Sequence, residues 1–179
     1  MITYSDLGVV WYAMKTTYKK ELQAKKYLDS CGIECFVPMK QETISKQGRK
    51  TVIQKPAIHN LIFVKADLNQ IREIKTYLNY LHNLIVDIDD VKVPIIVPTQ
   101  QMDQFIAAVS DSFDKIIYVD LSMTCLDKGT PVRIIDGKYK GYEGVLEKIK
   151  GKRDRRVTII VGNVIAYKID VEASCLEKI

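Results

Sequence analysis

The residues able to do chemistry are few and scattered. The histidines are His59 and His82, and neither has a serine, a cysteine or a paired carboxylate at a spacing that would build a nucleophile with its base. No glycine-rich loop of the phosphate-cradling type occurs in the sequence. Of Cys31, Cys35, Cys125 and Cys175, only the first two lie close together, with three residues between them and no second Cys or His pair nearby. A zinc site needs about four ligands, so ordinary reduced thiols are expected here, with neither a metal nor a disulfide. Catalysis, a metal and a cofactor are therefore not expected, and the chain reads as a binding protein.

The remaining chemistry is cationic. The net charge is +5, and its distribution is uneven: from Lys128 to Ile179 there are twelve Lys and Arg against seven Asp and Glu, while the preceding residues balance at fifteen each. Lys148, Lys150, Lys152, Arg153, Arg155 and Arg156 cluster at one expected hairpin tip, where several cations could meet a phosphate backbone together. A second basic turn, Lys46-Gln47-Gly48-Arg49-Lys50, joins two strand-like runs, and Lys19 and Lys20 head a basic helix. Phosphate contacts position a protein without reading sequence. A merely solvated surface stands beside that reading with equal weight.

Elements that would position these groups follow from periodicity. Val9 to Met14 is a buried first strand; Tyr18 to Cys31 carries Leu22, Ala24, Tyr27 and Leu28 at helical spacing and stops at Gly32. Ile33 to Lys40 is strand-forming, with Pro38 marking an edge or an end, and a hairpin with a charged tip reaches Ile53. Pro56 to Val64 is a turn delivering a central strand. Asp67 caps a helix bearing Leu68, Ile71, Ile74, Tyr77, Leu78 and Leu81. Leu84 to Ile88 is a strand, Pro94 to Pro98 is extended, and Thr99 opens a helix with Met102, Phe105, Ile106 and Val109. The order β, α, β, β, α, β, α predicts an α+β domain with a mixed sheet and flanking helices. The longest apolar runs fall far below the roughly 18 residues of a membrane span, and the N-terminus lacks a basic region followed by an apolar one, so a cytoplasmic protein without a membrane partner is expected.

The second half turns on Gly129 to Val145. Val132 and Ile134 alternate with exposed positions, and Gly137, Gly141 and Gly144 surround Tyr139 and Tyr142, which suggests a sharply bent sheet. Asp136-Gly137-Lys138-Tyr139-Lys140-Gly141-Tyr142-Glu143-Gly144-Val145 resembles the core of a KOW motif, the small β-barrel module of transcription elongation factors and some ribosomal proteins. Trp11 to Lys15, the basic helix, Ile33 to Met39, Pro56 to Val64 and Pro94 to Pro98 resemble the N-terminal domain of NusG-like factors. Together the two resemblances span most of the chain, at 8–110 for the N-terminal domain, 111–126 for a linker and 127–179 for the KOW domain. The subgroup it most resembles is the specialised paralogs of the RfaH and UpxY type, which serve selected long operons such as those for capsular polysaccharide.

The resemblance implies a non-enzymatic factor whose N-terminal domain binds the clamp helices of the largest RNA polymerase subunit through an apolar pocket and suppresses pausing. Carried over by position, the pocket residues are Ile58, Leu61, Phe63 and Ile96, with Arg72, Glu73 and Ile74 facing the opposite side of the cleft. Lys19, Lys20, Lys46, Arg49 and Lys50 would contact DNA. The KOW half would recruit a ribosomal protein or a termination factor through Tyr139, Tyr142, Val164 and Ile165, or its hairpin Lys150, Lys152, Arg153, Arg155 and Arg156 would touch nascent RNA. His59 and Leu61 depart from the family's usual proline and tyrosine. Some paralogs fold this half as helices; Val157 to Val161 argues for strands here. The rival reading is a ribosome-associated or RNA-binding KOW protein that does not act on polymerase.

Overall fold

The computed structural model describes residues 8–46, 48–111, 115–119, 129–148 and 155–179. They form two compact units, Met1–Asp103 and Gln104–Ile179.

The first unit is built around β1 (Val10–Thr16), whose residues Trp11 to Met14 are all fully buried. A strand buried on both faces reads as a continuous apolar run rather than an alternating one, as this stretch does. On one side β1 pairs antiparallel with β5 (Leu61–Ala66); on the other it pairs with β6 (Leu81–Asn83) and β9 (Ile96–Val97). The short β2 (Cys35–Phe36) adds to β5, giving the order β2-β5-β1-β6. Where a mixed sheet is expected, every described ladder is antiparallel. β1 and β2 run parallel but with β5 slotted between them, and β5 and β6 run parallel with β1 between them. Helix α1 (Glu21–Ser30) makes the first of these crossovers and α2 (Leu68–Tyr77) the second.

Both helices bury one stripe. Ala24 and Leu28 of α1, with Ile71 and Ile74 of α2, pack into one core with Tyr12, Met14, Ile62, Val64, Leu78 and Leu81. Asp67 caps α2 as expected: its carboxylate accepts from the Gln70 N–H at 2.9 Å, and its own N–H donates to the Gln70 side chain at 3.0 Å. Reciprocal satisfaction of two end donors fixes the start of the helix. At the end of α1, Gly32 takes φ +70° while the Ile33 N–H reaches back to the Leu28 carbonyl at 3.0 Å, a reversal that suits glycine.

Three stretches differ from the periodicity reading. The helix expected to reach Leu81 stops at Tyr77, and Leu81 opens β6. The expected strand 33–40 pairs in the main sheet only at Cys35–Phe36, after which the chain turns at Pro38 into β3 (Met39–Lys46) and β4 (Arg49–Pro56), a separate two-stranded hairpin. Proline lacks the N–H that a central ladder needs; its carbonyl still accepts from Ala57 at 2.7 Å. The expected strand 84–88 becomes one arm of a second isolated hairpin, β7 (Ile85–Ile88) with β8 (Val91–Pro94), closed by Asp89 and Asp90 at positive φ, while the expected extended piece 94–98 supplies β9 to the main sheet. Such a two-residue turn matches strand twist. Ile85, Ile88 and Val91 remain more than half exposed on it. Helix α3 (Thr99–Asp111) follows.

The second unit holds a six-stranded antiparallel sheet ordered β10 (Ile117–Val119), β14 (Ile165–Val171), β13 (Arg155–Val161), β12 (Glu143–Lys148), β11 (Thr130–Ile134) and β15 (Leu176–Lys178). β10 lies inside the segment expected as a linker. Gly137 and Gly141 take φ +80° and +87° in the turn between β11 and β12. Gly144 is needed for a different reason: a Cβ there would collide with the Thr158 carbonyl oxygen of the neighbouring strand. Gly144→Ala is expected to destabilise the protein by about 1–3 kcal/mol, measured by urea unfolding of the full chain.

Candidate functional site

The β3–β4 hairpin carries the first set of candidates. Eight register pairs run from Met39↔Pro56 to Lys46↔Arg49, and Gly48 at φ +77° closes the tip. Arg49 and Lys50 are exposed there; Lys46 ends β3, and its side chain lies outside the described residues. Farther down the arms Glu42 and Lys55 form an ion pair. The hairpin thus holds its acid internally and presents cations at its end, an arrangement suited to phosphate.

A second basic locus forms where two turns meet at one end of the sheet. Tyr18 and Lys19 both take positive φ, at +57° and +55°, as does Asn60 at +64°. Three hydrogen bonds support this: the Lys19 N–H donates to Asn60 Oδ1 at 2.8 Å, the Thr16 N–H to the Asn60 carbonyl at 2.9 Å, and the Thr17 N–H to the Tyr80 carbonyl at 3.0 Å. Tyr18 is left 87% exposed beside Lys19, while Lys20 Nζ lies 4.7 Å from the Tyr80 ring centroid. Glu21 was not distinguishable by sequence from any surface helix acid, yet it is buried. Its carboxylate accepts from the Thr16 hydroxyl at 3.4 Å and lies 3.6 Å from His59 Nδ1. His59 therefore lies against a buried acid.

The structure does not bring the expected apolar pocket together. Successive strand residues point to opposite faces. Ile62 and Val64 face the α1–α2 core, so Leu61 and Phe63 face the other way, and both are buried, at 4% and 0% exposure. Ile96 pairs with Tyr12 and packs against the α1–α2 core; its neighbour Val97 pairs with Trp11 and so shares the face of Leu61 and Phe63. Ile58, in the turn before β5, is half-buried. On α2, Arg72 and Glu73 are exposed while Ile74 is core.

In the second unit the tyrosines expected at the surface are interior. Tyr139 and Tyr142 are 7% and 8% exposed, their ring centroids 5.6 Å apart. The Tyr142 hydroxyl donates to the Gln104 carbonyl at 3.0 Å, and burial raises its pKa. Tyr167 is raised further, again by burial, and its ring lies 5.1 Å from Phe105. The reason is the tight turn: Gly137 and Gly141 fold the connection back so that both rings lie inward. Ile165 is also buried and Val164 half-buried. Arg156 is tied to Asp170 at 2.8 Å, and Arg155 is half-buried. Lys150, Lys152 and Arg153 lie outside the described residues, and the Lys148 side chain does too. Burial pushes Glu147 up, but hydrogen bonds from Lys168 at 2.7 Å and Thr158 at 2.9 Å outweigh it and hold the carboxyl below its ordinary range. Burial also pushes the Cys35 thiol up to about 12. Among the described residues no group of three His, Cys, Asp or Glu could hold a metal ion, and no helix is long and apolar enough to cross a membrane.

Residues 9–106 match the family model described as transcription termination factor nusG. No curated protein matches the chain in sequence. Among solved structures, "Domain interaction in Thermotoga maritima NusG" is 19% identical with a TM-score of 0.52, covering 96% of this chain and 97% of that one. A structure of the MjSpt4:Spt5 complex is 12% identical with a TM-score of 0.28, covering 94% and 96%.

Because Phe63 is interior, Phe63→Ala is expected to cost about 3–5 kcal/mol of stability. Val91→Thr on the exposed hairpin should change it by no more than about 0.5 kcal/mol. Urea unfolding of the two variants checks the contrast.

Proposed function

The chain belongs to the NusG family of transcription factors, and on that premise we propose that it acts on RNA polymerase in the cytoplasm, suppressing pausing or termination in selected long operons such as those for capsular polysaccharide. The family match over residues 9–106 supports this above all, because it falls on the unit whose hairpin carries Arg49 and Lys50 into solvent. In this reading the clamp helices of the largest subunit dock against the turn before β5, with half-exposed Ile58 as the apolar contact and Leu61 and Phe63 holding it from within. A few buried anchors dominate interface energy, so Ile58 is the residue to test. Arg72 and Glu73, exposed on α2, face the other side of the cleft.

Arg49 and Lys50, with Lys19 and Lys20, meet the DNA backbone. This contact is salt-sensitive and does not read sequence. The KOW unit, arranged as strands, recruits a ribosomal protein or a termination factor through its surface near Val164. Tyr139 and Tyr142 support that surface rather than touch the partner, since their rings are interior. Direct contact with nascent RNA by the hairpin has less support, because Arg156 is already engaged by Asp170.

Three outcomes are expected. The full chain co-sediments with core RNA polymerase, and Ile58→Asp weakens this by at least about tenfold, the order of one hot-spot residue; RNA binding without polymerase binding would instead favour the ribosome-associated reading. Run-off transcription through a long template yields more full-length product with the protein than without it, and a drop would reverse the assigned sign. Arg49→Glu with Lys50→Glu lowers DNA affinity and flattens its dependence on salt by about one unit of log–log slope for each phosphate no longer neutralised.

A further inference from the structure

Between α1 and α2 the first unit has an open groove of about 240 Å³. Ile33 and Ile74 contribute its apolar lining, and Tyr27 and Tyr77 stand together along it, with ring centroids 6.3 Å apart and planes tilted by 33°. Tyr77 is 66% exposed at the end of a helix whose Ile71 and Ile74 are core. Glu73 completes the lining from the turn before Tyr77. Residues four apart on a helix share a face, so the carboxylate and the Tyr77 ring are presented together.

Other acids of the first unit are paired within it. Asp29 is held by Lys25 at 3.0 Å, Glu34 by Lys65 at 2.8 Å, and Glu42 by Lys55. Glu73 has no ion-pair partner among the described residues. Arg72 and Lys75 lie one and two positions away in sequence, offsets that do not face the same side of a helix. The Glu73 charge nonetheless reaches the groove, since it is one of the influences that raise the Tyr27 pKa, after burial and the Cys31 and Tyr77 side chains. Gln70 is committed to the α2 cap and offers no competing cation.

We infer that this groove is a recognition site for an arginine side chain presented by a protein partner, with the guanidinium lying over the Tyr27 and Tyr77 rings and pairing with the Glu73 carboxylate. Aromatic faces attract cations through their quadrupole, and an adjacent carboxylate adds charge-assisted hydrogen bonds. Arginine suits the site better than lysine because its planar, weakly hydrated guanidinium can stack on a ring while its edge donates to an acid. The volume admits one such side chain and excludes a folded segment. This site is separate from the apolar contact assigned to Ile58 and from the basic hairpin, and it shares Glu73 with the α2 surface assigned to the other side of the cleft.

The test uses L-arginine amide as the probe, titrated into the isotope-labelled full chain and followed by amide chemical shifts. Saturable shifts confined to residues around Tyr27, Cys31, Glu73 and Tyr77 are expected. Glu73→Gln and Tyr77→Ala should each weaken binding by about fivefold, the scale of one exposed cation–ring or ion-pair contact, whereas Tyr77→Phe retains it. Both positions are exposed, so the variants keep the fold, as the spread of the remaining shifts will report. The inference is overturned by an absence of saturable shifts up to the solubility of the probe, by unchanged affinity in Glu73→Gln, or by L-lysine amide binding as well as L-arginine amide.

Discussion

The first unit depends on β1 lying in the middle of its sheet. This strand takes β5 along one edge and β6 and β9 along the other, so its backbone groups are satisfied on both sides and its side chains are covered on both faces. Burying a large apolar side chain contributes about 1.5–3 kcal/mol, and Trp11, Tyr12 and Met14 are all fully buried within four residues. Once β1 is central, the two helical crossovers must each span an intervening strand. That places α1 and α2 side by side on one face, and the groove between them is a direct result.

The same constraint decides which residues can act together. Strand alternation sends Leu61 and Phe63 to one face and Ile62 and Val64 to the other, and a one-residue step along β9 separates Ile96 from Val97 in the same way. Apolar residues that look equivalent in sequence are thus divided between two environments. The polar groups behave differently, because the isolated hairpins project beyond the sheet. The β3–β4 hairpin needs only its own ladder and so can carry Arg49 and Lys50 outward without disturbing the core.

The second unit is governed by close approach rather than by a central strand. Gly144 lets β12 lie against Thr158 of β13, and the turn at Gly137 and Gly141 folds two tyrosines inward. Arg156 with Asp170, and Glu147 with Lys168 and Thr158, then bind neighbouring strands through side chains. Among the described residues Arg156 and Lys168 are therefore engaged inside the sheet's own network, and their charge is a weaker guide to ligands than the count suggests.

By itself the sequence determined the first strand and the three helices of the first half in their order, because apolar spacing follows backbone geometry directly: the run at Trp11 to Met14, the stripe on α2 and the Asp67 cap are all local signals. It also determined the turns that only glycine can make, at Gly137 and Gly141. Tertiary structure alone decided which strands are neighbours, which face each residue serves, and where a polar group is hidden. Glu21 shows why: nothing near it in the chain marks it as buried, since its cover comes from His59 and Thr16, brought near by the pairing of β1 with β5. Tyr27 and Tyr77 show the same from the other side. Each belongs to the periodic stripe of its own helix and reads as core, but Tyr27 is only partly buried against that core and Tyr77 beside it is left exposed. Periodicity is a property of one segment, whereas exposure is set by what another segment covers.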